Sequence, residues 1–62
     1  MNVPPDFAAA LAADEAAGVF FGKLSNSLQR YHVDNVNAAK TEETRRRRIE
    51  KSILLFQQGK QR

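Results

Sequence analysis

The sequence predicts a small all-α bundle of three to four short helices, in which the C-terminal helix is the longest. Helix-capping residues recur along the chain, and Asp14, Ser25 and Thr41 each precede a segment with helix-forming residues. No segment alternates apolar and polar residues over a useful strand length. Because the chain has 62 residues, we expect a single domain spanning residues 1–62.

The N-terminal half predicts two short helices. The first starts at Pro5, since proline is accommodated in the first helical turn, and it places Phe7 and Leu11 on one face. The second is expected from Glu15 to about Gly22, where the final glycine helps to end it. Gly18 lies inside this segment and is expected to weaken it by about 1 kcal/mol relative to alanine.

Two longer helices are predicted in the C-terminal half. The third runs roughly from Asn26 to Ala39, with loosely spaced apolar positions. The fourth runs from Glu42 to about Gln58 and carries the clearest pattern, because Ile49, Ile53 and Phe56 follow the spacing of one helix face. The glycine after it favours a C-terminal stop. We therefore expect this stripe to lie in the core.

Composition excludes several classes of function. The chain has no cysteine and one histidine, which removes disulfides, thiolate metal sites and thiol nucleophiles, and leaves little for zinc or acid–base chemistry. We expect no enzymatic activity, no cofactor and no metal. The N-terminus lacks the pattern of a signal peptide, and the longest apolar stretch, residues 7–13, is too short to span a bilayer. The cytoplasm is the expected compartment.

Charge is divided unevenly along the chain. Residues 1–44 hold three basic and six acidic side chains, a net charge of −3, whereas residues 45–62 hold seven basic side chains and one acidic side chain, a net charge of +6. The overall charge of +3 is therefore the sum of an acidic N-terminal part and a basic C-terminal part. Such an asymmetry can hold the two halves together or present a basic face to an anionic partner.

The most distinctive feature is the run of four arginines that opens the fourth helix. At about 100° per residue these side chains surround the helix instead of lining one face. Arg46 and Arg47 each follow a glutamate by four residues, which favours ion pairs along the helix. Arg45 and Arg48 follow threonines instead and flank the core stripe. They are therefore the two expected to find partners elsewhere in the fold.

Two interpretations of Arg45 and Arg48 follow. They could be structural, paired with Asp34, Asp14 or a backbone carbonyl at a helix end, or they could bind an anion. A nucleic-acid partner is not favoured, because the run circles its helix and no recognition-helix motif or aromatic stacking platform accompanies it.

Two further residues are candidates for binding. Phe20 and Phe21 are adjacent and cannot easily both face inward, so one of them, with Phe20 as the candidate, is expected to offer a surface contact. His32 is expected to be half-exposed on the third helix, and no second residue in the sequence supplies it with a catalytic partner. Ser25 and Ser27 are interpreted as capping residues.

Several motifs occur in an order that resembles a known family. They are Val3-Pro4-Pro5-Asp6-Phe7, Ala10-Leu11, Phe21-x-x-Leu24-Ser25-x-Ser27, and the block Ala39-Lys40-x-x-Glu43-Thr44-Arg45-x-Arg47-Arg48-Ile49-x-Lys51. Together they resemble the C-terminal helical module of the bacteriocin-protection, OmpD-associated (OmdA) family, and the resemblance extends from Val3 to about Arg62. The chain departs from the family pattern after Leu24, and on the third helix it has His32 and Asn35 where the family tends to have Tyr and Trp.

The resemblance implies a small helical domain, linked by name to bacteriocin resistance and to a porin, with no implied enzymatic activity. We therefore expect a non-enzymatic interaction module that binds a protein partner or a second copy of itself. The alternative is a binder of anionic surfaces, nucleic acid or membrane, that acts through the basic C-terminal helix.

Overall fold

The computed structural model describes residues 2–62, and these form four helices joined by short connections. They are α1 (Pro5–Ala13), α2 (Glu15–Lys23), α3 (Asn26–Asn37) and α4 (Glu42–Gln57). The helix α4 packs against the other three, and α1 packs on α2. The predicted all-α bundle with a longest C-terminal helix is confirmed. The predicted ends of α2, α3 and α4 differ from the observed ends by one or two residues, where helix termini fray.

The three predicted N-caps are confirmed. The side chains of Asp14, Ser25 and Thr41 each accept a hydrogen bond from the backbone N–H three residues further on, at 3.1, 3.3 and 3.1 Å. Each bond satisfies one of the N–H groups that a helix start leaves without an intrahelical partner. These local bonds fix the starts of α2, α3 and α4 independently of the core.

The C-terminus of α4 ends in a Schellman motif centred on Gly59. Its φ of 73° lies in the left-handed region that glycine adopts without steric cost. The Gly59 N–H donates to the Phe56 carbonyl at 3.0 Å, and the Lys60 N–H donates to the Leu55 carbonyl at 3.1 Å. The motif reverses the chain, so that residues 60–62 return toward α3.

The core is an aromatic cluster surrounded by small aliphatic side chains. All four helices and the α2–α3 connection contribute buried apolar residues. These are Phe7, Leu11, Ala17, Phe21, Leu24, Val33, Val36, Ile49 and Phe56. Of the predicted stripe on α4, Ile49 and Phe56 are buried, whereas Ile53 is only partly buried. The stripe is therefore confirmed at its two ends and weaker at its centre.

Gly18 allows α1 and α2 to approach closely. A Cβ atom at this position would lie 2.7 Å from the Leu11 carbonyl oxygen, which belongs to backbone and cannot move aside cheaply. Gly22 lies one turn later in α2, and a Cβ there would meet no heavy atom within 4 Å. The two glycines of one helix therefore have different roles: Gly18 is a packing requirement, and Gly22 stands inside the helix, which continues to Lys23.

We expect Gly18→Ala to lower the free energy of unfolding, even though alanine favours helix by about 1 kcal/mol over glycine. The matched control, Gly22→Ala, should raise it by about 0.5–1 kcal/mol, because the added methyl group meets open space and restricts the unfolded chain. Urea unfolding followed by circular dichroism measures both changes. A Gly18→Ala protein more stable than the original chain would contradict the close approach.

Candidate functional site

Arg45 joins three helices. Its Nε and Nη2 donate to the two carboxylate oxygens of Asp6 at 2.5 and 3.1 Å, the fork geometry that guanidinium and carboxylate groups favour. Its Nη1 lies 3.4 Å from the Val36 carbonyl oxygen near the end of α3. The expected tertiary partnership is confirmed, but the acid is Asp6 of α1, not Asp14 or Asp34. Arg45 therefore acts as a structural clamp between α1, α3 and α4.

The clamp changes the acidity of Asp6. The hydrogen bond from Arg45 lowers the pKa of Asp6 below its ordinary value of 3.8, and the N–H of Phe7, at 2.9 Å, acts in the same direction. Partial desolvation opposes both effects. Because the folded state favours the charged carboxylate, its contribution to stability is complete above the ordinary pKa. That contribution is lost as the pH falls through the lower folded-state value.

Arg48 caps the C-terminal turn of α3. Its Nη1 donates to the carbonyl oxygen of Asn35 at 2.7 Å. Carbonyl groups in the last turn of a helix lack intrahelical donors and carry the negative end of the dipole, so a guanidinium group there satisfies both. This confirms the expectation of a backbone carbonyl at a helix end as a partner.

Arg46 and Arg47, which lie between Arg45 and Arg48 in the sequence, face solvent. Arg47 donates to the Glu43 carboxylate at 3.1 Å, as the four-residue spacing predicts. Within residues 2–62, the other predicted pair, Arg46 with Glu42, is not formed. That prediction was wrong, since spacing permits a pair on an exposed helix face but gives two mobile side chains little reason to hold one geometry.

His32 is buried, so the expectation of a half-exposed side chain was wrong. The residue is 3% exposed, and its ring stands edge-on to the ring of Phe56, with 4.8 Å between centroids. Its Nε2 lies 2.7 Å from the carbonyl oxygen of Gln61, which can only accept a hydrogen bond. The returning C-terminal tail therefore pairs with one of the two ring nitrogens. Helical periodicity in α3 could not predict the burial of His32, because residues almost thirty positions away cover this side chain.

The aromatic pair on α2 is divided as expected. Phe21 is buried, and Phe20 is partly buried with its ring 5.7 Å from that of Phe56. Phe20 thus presents only part of its ring to solvent and contributes to packing. The preceding residue, Val19, is more exposed, at 54%.

Two of the candidate residues meet in one cleft between α3 and α4, which we call the α3–α4 cleft. It has a volume of about 350 Å³. It is lined by Tyr31, His32, Asn35, Arg48, Lys51, Ser52, Leu55 and Arg62. The structure thus brings Arg48 and His32 together, whereas Arg45 and Phe20 lie outside this cleft.

A second concave surface, the α1–α4 groove, lies between α1 and α4. It has a volume of about 450 Å³. It is lined by Ala10, Ala13, Asp14, Ile49, Glu50, Ile53 and Leu54. A smaller depression continues it along the same two helices, and this part adds Asp6, Glu42 and Arg46.

Sequence reasoning missed most of the residues that line these surfaces. Lys51 and Ser52 stand three and four residues after Arg48, so helical spacing alone places all three on neighbouring positions of one face. That signal was available. Leu54 lay outside the predicted stripe and is 57% exposed, which periodicity also indicates. The position of Arg62 depends on the chain reversal after α4, and no local pattern indicates where the tail then lies.

A comparison with family models identifies what the chain is related to. The model of OmdA, described as Bacteriocin-protection, YdeI or OmpD-Associated, matches residues 1–59. The chain belongs to the OmdA family. Neither curated proteins nor solved structures give a significant match. The resemblance of the sequence motifs to this family is confirmed, and the matched range contains all four helices of the fold.

The part of the chain that the structure describes gives no positive sign of a metal site or of a bilayer-spanning segment. Within residues 2–62, no three histidine, aspartate or glutamate side chains come together as metal ligands would. None of the four helices combines the length and the apolar character needed to cross a bilayer.

We expect the four arginines to differ in their effect on stability. Arg45→Ala should lower the melting temperature most, because it leaves Asp6 and the α3 carbonyl without a partner, and Arg48→Ala should follow. Arg46→Ala and Arg47→Ala should leave it nearly unchanged, since both side chains are exposed. Thermal unfolding of the four variants at one salt concentration measures this order. Equal melting temperatures would contradict the division.

Acid unfolding tests the Asp6–Arg45 clamp. We expect Asp6→Asn to be less stable than the original chain at about pH 7, and to lose less stability as the pH falls from about 6 to about 2. The control, Lys23→Gln on exposed α2 surface, also removes one charge but leaves every carboxylate in place, and should keep the original pH profile. Urea unfolding at each pH measures the slope, and an unchanged slope in Asp6→Asn would contradict the lowered pKa.

Proposed function

We propose that this domain is a non-enzymatic interaction module whose α1–α4 groove binds an amphipathic helix of a protein partner. The observation that carries the proposal is the composition of the groove. Its floor is apolar, and its edges are acidic. A helix with an apolar stripe flanked by basic residues would complement both features.

The apolar floor is the first support. Ala10 and Ala13 of α1 face Ile53 and Leu54 of α4 across the groove. Small side chains on one wall let a partner backbone approach closely, and Leu54 offers a large apolar side chain that is more than half exposed. Exposed apolar residues that are grouped in a concave surface are typical of interaction sites.

The acidic edge is the second support and defines the partner's charge. Asp14 and Glu50 border the groove, and Asp6 and Glu42 border its continuation, where Arg46 is the one basic side chain. Asp6 is already paired with Arg45, and Asp14 accepts hydrogen bonds from the Ala17 N–H and the Gln57 side chain. Glu42 and Glu50 are therefore the acids that would meet lysine or arginine side chains of a partner helix. Rim charges of this kind act mainly on association rate and partner choice.

The arrangement of the arginine run argues against the alternative, in which α4 binds nucleic acid or an anionic membrane. Of the four arginines in the run, Arg45 is committed to Asp6 and Arg47 to Glu43, and Arg48 uses one of its N–H donors for a carbonyl of α3. Contacts with a polyanion need basic groups that converge on one surface and are free to replace counterions. Lack of enzymatic activity and a cytoplasmic location remain part of this proposal.

A designed peptide tests the groove. The probe is an amphipathic helix of about 18 residues, with leucines on one face and lysines on its flanks, and its matched form has glutamates in place of the lysines. We expect the lysine form to bind and to shift backbone amide resonances near Ala10, Ala13, Ile53 and Leu54 in nuclear magnetic resonance spectra. The glutamate form should bind more weakly because it meets the acidic edge.

Matched variants assign the binding surface. Leu54→Ser should weaken peptide binding, whereas Val19→Ser, an equally exposed apolar residue outside the groove, should not. Sedimentation at several concentrations identifies a second copy as the occupant if the chain dimerises and Leu54→Ser prevents it. Tight binding of duplex DNA that falls steeply between low and moderate salt, with no peptide binding, would favour the alternative.

A further inference from the structure

The α3–α4 cleft lies on the flank of α4 away from the α1–α4 groove and has the opposite charge. Three cationic side chains line it, namely Arg48, Lys51 and Arg62, and none of its lining residues is acidic. Within residues 2–62, none of these three forms an ion pair with a carboxylate. Elsewhere along α4 the same structure does pair arginines with acids. Like charges gathered in one concavity repel one another, and a bound anion would relieve that repulsion.

The guanidinium groups of Arg48 and Arg62 are held in place by contacts that leave some of their N–H donors free. Arg48 uses Nη1 for the Asn35 carbonyl, and its guanidinium group has further N–H donors. The guanidinium carbon of Arg62 lies 4.6 Å from the ring centroid of Tyr31, a cation–π contact. The hydrogen bond between His32 and the Gln61 carbonyl fixes the tail just before Arg62. Part of the side-chain entropy that binding would otherwise cost is therefore already lost in the unliganded fold.

Neutral hydrogen-bonding groups complete the cleft. Ser52, only 5% exposed, is a buried polar residue of its wall, and the side chains of Tyr31 and Asn35 also line it. Hydroxyl and amide groups can donate to oxygen atoms of an anion, the guanidinium groups can donate two bonds each in fork geometry, and the Lys51 ammonium group can donate as a compact charge. The volume of about 350 Å³ is at the small end of the range for ligand sites.

We propose that the α3–α4 cleft binds the phosphoryl group of a small soluble phosphate ester, held by Arg48, Lys51 and Arg62. A phosphate monoester carries a charge of about −1.5 to −2 at pH 7 and several acceptor oxygens, which matches three cations better than a single carboxylate does. Arg62 already covers the Tyr31 ring, so stacking of a nucleobase there would have to displace it. The phosphoryl group is thus the recognised element.

Inorganic phosphate is the first probe, and glycerol 3-phosphate is the second. Backbone amide resonances of the full chain are followed as each is added at about pH 7, with sodium chloride and sodium acetate at equal ionic strength as reference salts. We expect saturable shifts at Asn35, Arg48 and Ser52 with both phosphates and only small linear shifts with the reference salts. Equal responses to phosphate and chloride would overturn the proposal.

Variants separate a site from general charge attraction. Lys51→Gln and Arg62→Gln should each weaken phosphate binding about fivefold, the effect of losing one partly screened charge contact. Lys23→Gln removes the same charge from α2, which contributes no residue to the cleft, and should leave the affinity unchanged. Arg48 is not used, because its loss also uncaps α3. If Lys23→Gln weakens binding as much as Lys51→Gln does, the attraction is general and the proposal fails.

Because the peptide probe and the phosphate probe report on different sides of α4, the two proposals can fail separately. Leu54→Ser should leave phosphate binding unchanged, and Lys51→Gln should leave peptide binding unchanged. Loss of both activities in either variant, with the fold intact by circular dichroism, would contradict the assignment of two separate surfaces.

Discussion

The fold depends on the burial of Phe56. The residue is 2% exposed, and its ring lies within 6 Å, centroid to centroid, of the rings of Phe20, Phe21 and His32. Helices α2 and α3 therefore meet α4 at one side chain. Full burial of such a side chain stabilises a protein by about 1.5–3 kcal/mol. In a chain of this size, where net stability is on the order of a few kcal/mol, that is a large share. The position of α4 follows from this contact, and both concave surfaces follow from the position of α4.

Local chemistry predicted the helices because it acts within a few residues. The caps at Asp14, Ser25 and Thr41 needed only their own side chains and the next turn of backbone, and the stop after α4 needed only Gly59. Family resemblance and periodicity then agreed on the all-α class. The geometry of the arginine run was predictable for the same reason, since a helical wheel needs no knowledge of the other helices.

The remaining features depended on contacts between distant residues. The clamp joins residues 39 positions apart, and the sequence indicated Asp14 and Asp34, not Asp6, as acidic partners for Arg45. The close approach of α2 to α1 at Gly18 depends on how the two helices pack. Helix propensity alone predicted only that this glycine weakens α2. His32 is covered by a tail whose path is set by a chain reversal. In each case a contact between residues far apart in the sequence determines the local structure, and a single sequence gives no direct indication of such contacts.

The role of α4 as the common partner of α1, α2 and α3 has a consequence for synthesis. The helix that completes the core is the last of these four to be made, and the clamp on Asp6 needs a residue from its first turn. A nascent chain that has not yet released α4 from the ribosome exposes the segments of α1, α2 and α3, of which α2 and α3 have side-chain caps, without the helix that covers their apolar face. Productive folding therefore waits until α4 has left the ribosome. Until then the aromatic side chains of α2 lack the contact with Phe56 and are available to chaperones.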